Sequence, residues 1–225
     1  MKPVILIVGA SRGIGLEYVR QFSAAGWRVL ATVRDMAKGA AVSKAGGEVY
    51  LCDVNDAASV ARLGKGLAKE AIDVLVVNAG IYTGRDWKLG STDFAAFEEI
   101  LRTNTLAPLR VVEALVDSVA KGNRKAIVFT SSRMGSNAQT NGGSMPYRVS
   151  KAALNSVAKN LSVELAGRGI TTITTHPGWV RTDMGGAGAA IDVSESVGGL
   201  RKVIERLTPA DNGRFFNYDG SELPW

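Results

Sequence analysis

Cysteine occurs once in the 225 residues, at Cys52, and histidine once, at His176. A single thiol builds neither a disulfide framework nor a cysteine-based metal site, so no metal is expected, and a reducing, cytoplasmic setting fits. No apolar run approaches the roughly 20 residues that a membrane-spanning helix needs. Met1-Lys2-Pro3 followed by Val4–Val8 has the outline of a secretion signal. Its apolar core is short, and a glycine turn follows where a processing site would stand, so it reads as a buried strand. Acidic residues are outnumbered 21 to 27 by Lys and Arg, for a formal net charge of +6. The basic residues are scattered, neither gathered into a stripe nor interleaved with aromatics, which argues against a nucleic-acid surface. Nothing repeats, and no linker divides the chain. Residues 1–225 therefore read as one α/β domain with a sizeable core.

What is present begins with strand, turn and helix. Val4–Val8 is a continuous apolar run, as a central parallel strand covered on both faces requires. Gly9-Ala10-Ser11-Arg12-Gly13-Ile14-Gly15 follows at once, and helical periodicity runs on through Leu16, Val19 and Phe22 to Gly26. Glycines let a backbone approach closely, and the free N–H groups and dipole of a helix N-terminus receive a diphosphate. The spacing is G-x-x-x-G-x-G, and no Lys-Ser or Lys-Thr ends it, which removes the P-loop nucleotidase.

Six further strands are expected: Arg28–Val33, Glu48–Leu51, Asp73–Val77, Lys125–Thr130, Thr171–Thr175 and Arg214–Tyr218. Helices are expected over Asn55–Glu70, over Phe94–Lys121 with a kink at Pro108, and over Ser194–Leu207. The alternation predicts a Rossmann-like, doubly wound parallel sheet of about seven strands flanked by helices.

A further helix opens at Ser144-Met145-Pro146-Tyr147-Arg148-Val149-Ser150-Lys151 and stops at Gly167 and Gly169. Pro146 is tolerated in its first turn. Tyr147 and Lys151 are four apart and leave the same helix face. At about 6 Å and an effective dielectric of about 20, the ammonium attracts a phenolate by roughly 3 kcal/mol before desolvation. That predicts a tyrosine pKa about one to two units below its ordinary value. The pair is a candidate acid/base for an alcohol or carbonyl oxygen. Alone, Tyr-x-x-x-Lys arises by chance in many helices; its company elsewhere in the chain gives it weight.

Gly9-x-x-x-Gly13-x-Gly15, Asn78-Ala79-Gly80, Asn104, Ser132, Tyr147-x-x-x-Lys151 and Pro177-Gly178 occur in that order and at matching spacing. The chain thereby resembles the short-chain dehydrogenase/reductase family over essentially its whole length. Gly213–Trp225 also resembles the subgroup holding C-factor and sniffer-type carbonyl reductases. The resemblance implies NAD(P) across the carboxyl ends of the strands. It makes Tyr147 the acid/base and gives Lys151 the task of lowering its pKa and holding the nicotinamide ribose. Ser132 would steady the substrate oxygen, with Ser131 as the fallback, and Asn104 would hold a water linking Lys151 to solvent. Gly9, Ser11, Arg12, Gly13, Ile14 and Gly15 would cradle the diphosphate. Asp53 and Val54 would meet the adenine, while Asn78, Ala79, Gly80, Pro177, Gly178, Val180 and Thr182 would border the ribose and nicotinamide. Two positions depart from the family: Val8 replaces a threonine before the glycine motif, and Val77 replaces the first Asn of Asn-Asn-Ala-Gly.

Arg12 and Arg34 flank the place of the adenosine ribose, so NADP(H) is expected in preference to NAD(H). In the contrary reading, Asp35 binds the ribose hydroxyls. His176 reads as a structural residue at a strand end. A serine hydrolase built on Ser132 and His176 would lack both the G-x-S-x-G elbow and the usual residue order. Met134, Met145 and Trp179 belong either to a substrate pocket or to the core. Two functions from different classes remain. One is an NADPH-dependent oxidoreductase acting on a small carbonyl or alcohol. The other is a nucleotide-binding signalling or regulatory protein on the same fold, as C-factor suggests. The resemblance also implies that the helices from Phe94 and Tyr147 pair with their symmetry mates in a homodimer or homotetramer, and their apolar stripes are broad enough to permit it.

Overall fold

The computed structural model describes residues 2–225. Seven strands run parallel: β1 (Val4–Val8), β2 (Arg28–Val33), β3 (Gly47–Leu51), β4 (Val74–Val77), β5 (Ala126–Thr130), β6 (Thr171–His176) and β7 (Phe215–Asn217). Their order across the sheet is β3-β2-β1-β4-β5-β6-β7. The chain builds outward from β1 in one direction and then, from β4, in the other. Between β1 and β4 the direction of winding reverses, and in such sheets ligands lie at the carboxyl ends there.

Alternation along β1 explains why that strand is apolar throughout. Leu6 and Val8 face a core completed by α3 (Ala57–Gly66), α5 (Ala107–Ala120) and α6 (Met145–Glu164). Ile5 and Ile7 face the other core, closed by α1 (Gly13–Ala24), α2 (Gly39–Lys44) and α7 (Val193–Arg206). Each large side chain so buried stabilises the fold by about 1.5–3 kcal/mol. Val8 and Val77, the departures from the family pattern, both belong to the first of these cores.

Strand positions agree with the sequence reading to within a residue or so at each end. Three local features differ from it. Asp56 caps α3 by accepting from Ala58 N–H, so this helix starts at Ala57 instead of Asn55, and it ends at Gly66, short of the expected Glu70. A 3₁₀ turn (Met36–Lys38) and α2 were not anticipated; Asp35 caps that turn by accepting from Ala37 N–H at 2.9 Å. The expected long helix from Phe94 is really α4 (Phe94–Leu101), a π-helical turn (Arg102–Leu106) and α5. The irregularity lies at Asn104 and not at Pro108, which sits in the first turn of α5 where its missing N–H costs nothing.

One buried carboxylate ties the amino-terminal edge together. Asp73, just before β4, accepts from Val4 N–H at 2.8 Å and from Asn123 N–H at 2.8 Å. At the opposite edge of the sheet, the strand ends build the site.

Candidate active site

A cleft of about 440 Å³ crosses the carboxyl ends of β1, β2, β4 and β5. Its floor at one end is the glycine turn. Gly9 has φ +91°, and a Cβ there would stand 2.8 Å from Ala79 Cα. A Cβ on Gly15 would lie 2.0 Å from the Gly9 carbonyl oxygen, so α1 can start this close to β1 only with glycine. Gly9 is braced on both sides: its N–H donates to Thr32 Oγ1 at 3.0 Å, and its carbonyl accepts from Asn78 Nδ2 at 2.9 Å. Thr32 and Asn78 thus supply the bracing around the turn while Val8 and Val77 pack in the core. The N-terminus of α1 carries no capping side chain and no acidic residue in its first turn. Its N–H groups and dipole are free to meet an anion, the property a diphosphate needs.

Arg12 and Arg34 both line this end of the cleft. Asp35, committed to its 3₁₀ turn, is not among the lining residues. Cys52, Val54 and Asn55 form the wall beyond. Asp53 does not line it: its carboxylate accepts from Asn55 N–H at 2.9 Å. Gly15, Gly178 and Val180 likewise do not line it. Gly178 has φ +86°, and a Cβ on it would strike Ile191 Cδ1 at 2.5 Å. Ser11, Gly13, Ile14, Ala79, Gly80, Pro177 and Thr182 do reach the cleft.

The other end holds Tyr147 and Lys151, 8% and 4% exposed, one turn apart on α6. Lys151 Nζ donates to the Thr130 carbonyl at 2.9 Å and lies 5.8 Å from the centre of the Tyr147 ring. The phenol, however, is not acidified as the spacing suggested. Burial pushes its pKa up to about 12, with the neighbouring Ser132 hydroxyl drawing it back only in part. Burial also pushes Lys151 down to about 8. Desolvation disfavours the charged form of each group. The Tyr82 ring packs on Tyr147 at 4.3 Å between centroids and closes off the solvent further.

The serine pair is divided by geometry. Ser131 lines the cleft, but its hydroxyl donates to Asn155 Oδ1 at 2.5 Å, inside the fold. Ser132 caps a 3₁₀ turn (Arg133–Gly135) by accepting from Met134 N–H, and its hydroxyl stands beside the phenol. Gly135 lets that turn press on α6, since a Cβ there would lie 2.7 Å from the Lys151 carbonyl carbon.

Asn104 is fully buried, in the π-helical turn. Its Nδ2 donates to the Ile81 carbonyl and to Ser150 Oγ, and its Oδ1 accepts from Ile81 N–H. A Cβ on Gly80 would lie 3.1 Å from Asn104 Oδ1 and 3.5 Å from Lys151 Nζ, so both groups face one small space. His176 ends β6 as expected; burial, followed by the Arg133 charge, pushes its pKa down to about 4. Met145 and Trp179 are exposed, Trp179 donating to the Gly185 carbonyl at 2.9 Å. Neither is core.

The sequence reading did not single out several cleft residues, among them Thr32, Asn55, Ile81, Thr130 and Asp183. Asn55 and Asp183 are each adjacent to a residue expected at the site, Val54 and Thr182. Thr32 and Thr130 carried only the weaker signal of standing at or next to a strand's carboxyl end.

Known proteins resemble this chain in sequence and in fold. C-signal of Myxococcus xanthus is 43% identical over 155 residues, 68% of this chain and 93% of that protein. The carbonyl reductase Sniffer of D. melanogaster superposes with a TM-score of 0.91 at 32% identity, over the full length of both chains. An NADPH-bound carbonyl reductase from chicken fatty liver does so with 0.89 at 31%, again over both full lengths. Residues 3–190 match the model of the short chain dehydrogenase family. The chain belongs to that family, and it is an oxidoreductase acting on C=O and CH–OH groups.

Proposed function

We propose that this protein is an NADPH-dependent carbonyl reductase in which Tyr147 is the acid/base. One observation carries the reading: the buried Tyr147–Lys151 pair and the cation pair Arg12 and Arg34 occupy the two ends of one cleft. The residues present fit a dinucleotide. The uncapped N-terminus of α1 and the glycine turn would hold its diphosphate, the Val54–Asn55 wall its adenine, and Lys151 its nicotinamide ribose. Bound there, the cofactor supplies a hydride.

The protein supplies the proton. A phenol with a pKa near 12 is protonated at neutral pH and gives its proton to a carbonyl oxygen as that oxygen gains charge. Ser132 holds the same oxygen by its hydroxyl. Lys151, below its pKa of about 8, offsets the charge left on Tyr147. Asn104 Oδ1 and Lys151 Nζ converge beside Gly80, where a water would carry the replacement proton.

Residues 1–225 act as one cofactor-binding unit in this reading, and a cytoplasmic setting suits the single, buried Cys52. The 43% identity to C-signal favours a second reading, a nucleotide-binding signalling protein on the same fold. Tyr147→Phe separates the two. It should lower turnover of aldehydes and ketones about a hundredfold or more, with NADPH affinity little changed. Full activity of that variant, or an inactive parent across a panel of aldehydes, ketones and quinones, would remove the reductase reading.

The finer proposal is a cofactor preference. Charge-assisted hydrogen bonds from Arg12 and Arg34 to a 2′-phosphate should favour NADPH over NADH by about ten- to a hundredfold. Fluorescence titration of Arg12→Ala with Arg34→Ala should show that preference lost through NADPH alone. The NADP-type cofactor bound by the chicken reductase supports the choice.

A further inference from the structure

Four cations line the cleft: Arg12, Arg34, Lys151 and Arg181. Among the described residues one carboxylate joins them, Asp183. Charge complementarity with a polyphosphate gives no reason for a carboxylate there. Asp183 Oδ2 accepts from Arg12 Nη1, 171 positions away in the chain. The pair therefore runs from the glycine turn on one wall to the segment after β6 on the other. Two of the other cations are engaged differently, Lys151 with the Thr130 carbonyl and Arg181 with Asp192. Arg12 is the cation whose ionic partner lies inside the cleft.

We propose that Asp183 is a specificity-determining residue for the cofactor: it competes with a 2′-phosphate for Arg12 and so holds down NADPH affinity without acting on NADH. The proposal rests on the reading that Arg12 meets the 2′-phosphate. A phosphate brings more charge than a carboxylate and takes the guanidinium. Asp183 is then left as an unpaired like charge beside it, which weakens the gain. The pair is 71% and 73% exposed, so its worth is that of a surface ion pair. The backbone at Asp183 does not depend on the ion pair alone, because the adjacent Thr182 Oγ1 accepts from Gly185 N–H at 3.0 Å.

Asp183→Asn keeps the side-chain shape and removes the charge. NADPH and NADH are titrated by fluorescence into the parent, Asp183→Asn, Arg12→Ala and the double variant. Asp183→Asn should tighten NADPH about two- to fivefold, the span of an exposed ion pair, and leave NADH unchanged. In the Arg12→Ala background the gain should vanish. An unchanged NADPH affinity, an equal tightening of both cofactors, or a gain that survives Arg12→Ala would each overturn the proposal. Thermal melting checks the fold, and Asp183→Ser serves if the asparagine variant does not fold. Equal affinities in the parent would overturn the cofactor preference proposed above, while the Asp183→Asn comparison is read in the same way.

Discussion

Lys151 illustrates how burial, not pairing, sets the chemistry of a side chain. Its ammonium is 4% exposed, its hydrogen bond is to a neutral carbonyl, and its pKa is held at about 8. The sign of the consequence follows from the direction of that shift. Below pH 8 the residue is charged and can offset a developing phenolate; above pH 8 it is neutral and cannot. Carbonyl reduction should therefore fall as pH rises through about 8, approaching tenfold per unit. Lys151→Arg keeps its charge across that range, so it should lose this limb of the profile even if its rate is lower. Measuring kcat/KM between pH 6 and 10 checks both, and a profile flat through pH 8 in the parent would remove Lys151 from this role.

Among the elements, the junction of β1 and α1 tolerates little change. Gly15 faces backbone: the Gly9 carbonyl oxygen at 2.0 Å and Ala10 Cα at 2.9 Å from where a Cβ would stand. Neither can move without shifting the turn that shapes the cleft. Gly15→Ala should destabilise the fold by about 1–3 kcal/mol or more, as overpacking does, and should weaken dinucleotide binding. Gly66, at the end of α3, has open space where its Cβ would go. Gly66→Ala should be neutral or stabilise by up to about 1 kcal/mol. Urea unfolding of the two variants side by side, with cofactor titration, tests the contrast; equal stabilities would refute it. The π-helical turn is the second such element. It widens the helix at Asn104 and carries the amide onto Ile81 and Ser150, bridging the loop after β4 to α6.

Over the whole molecule, no helix among the described residues is long and apolar enough to cross a membrane. Yet large apolar side chains stay exposed on neighbouring helices: Phe94 on α4, Leu106 at the end of the π-helical turn, and Val149 and Val163 on α6. A second copy of the chain would cover them, as the broad stripes on these helices suggested. We expect sedimentation at micromolar concentration to give a multiple of the 23.7 kDa chain mass. A clean 23.7 kDa species would count against assembly.

Much of this protein is determined by local pattern. A five-residue apolar run closed by a glycine turn reads as a strand covered on both faces, and a glycine turn between strand and helix offers free N–H groups to an anion. Tyr147 and Lys151 share a helix face because 3.6 residues make a turn. Other features depended on tertiary structure because their causes are distant in the chain or lie in the solvent. The phenol rises to about 12 instead of falling because Tyr82 and the sheet exclude water from it. Ser131 and Ser132 are adjacent, and only the position of Asn155 on α6 draws one hydroxyl into the fold and leaves the other beside the phenol. Pro108 marks a kink in the sequence, but the irregularity is a π-helical turn at Asn104, held by bonds from its amide to Ile81 and Ser150, which lie elsewhere in the chain. Arg12 meets Asp183 across 171 positions because the doubly wound sheet brings the carboxyl ends of β1 and β6 to one edge. Local sequence decides what each turn and helix face can do; the sheet order decides which of them share a cleft.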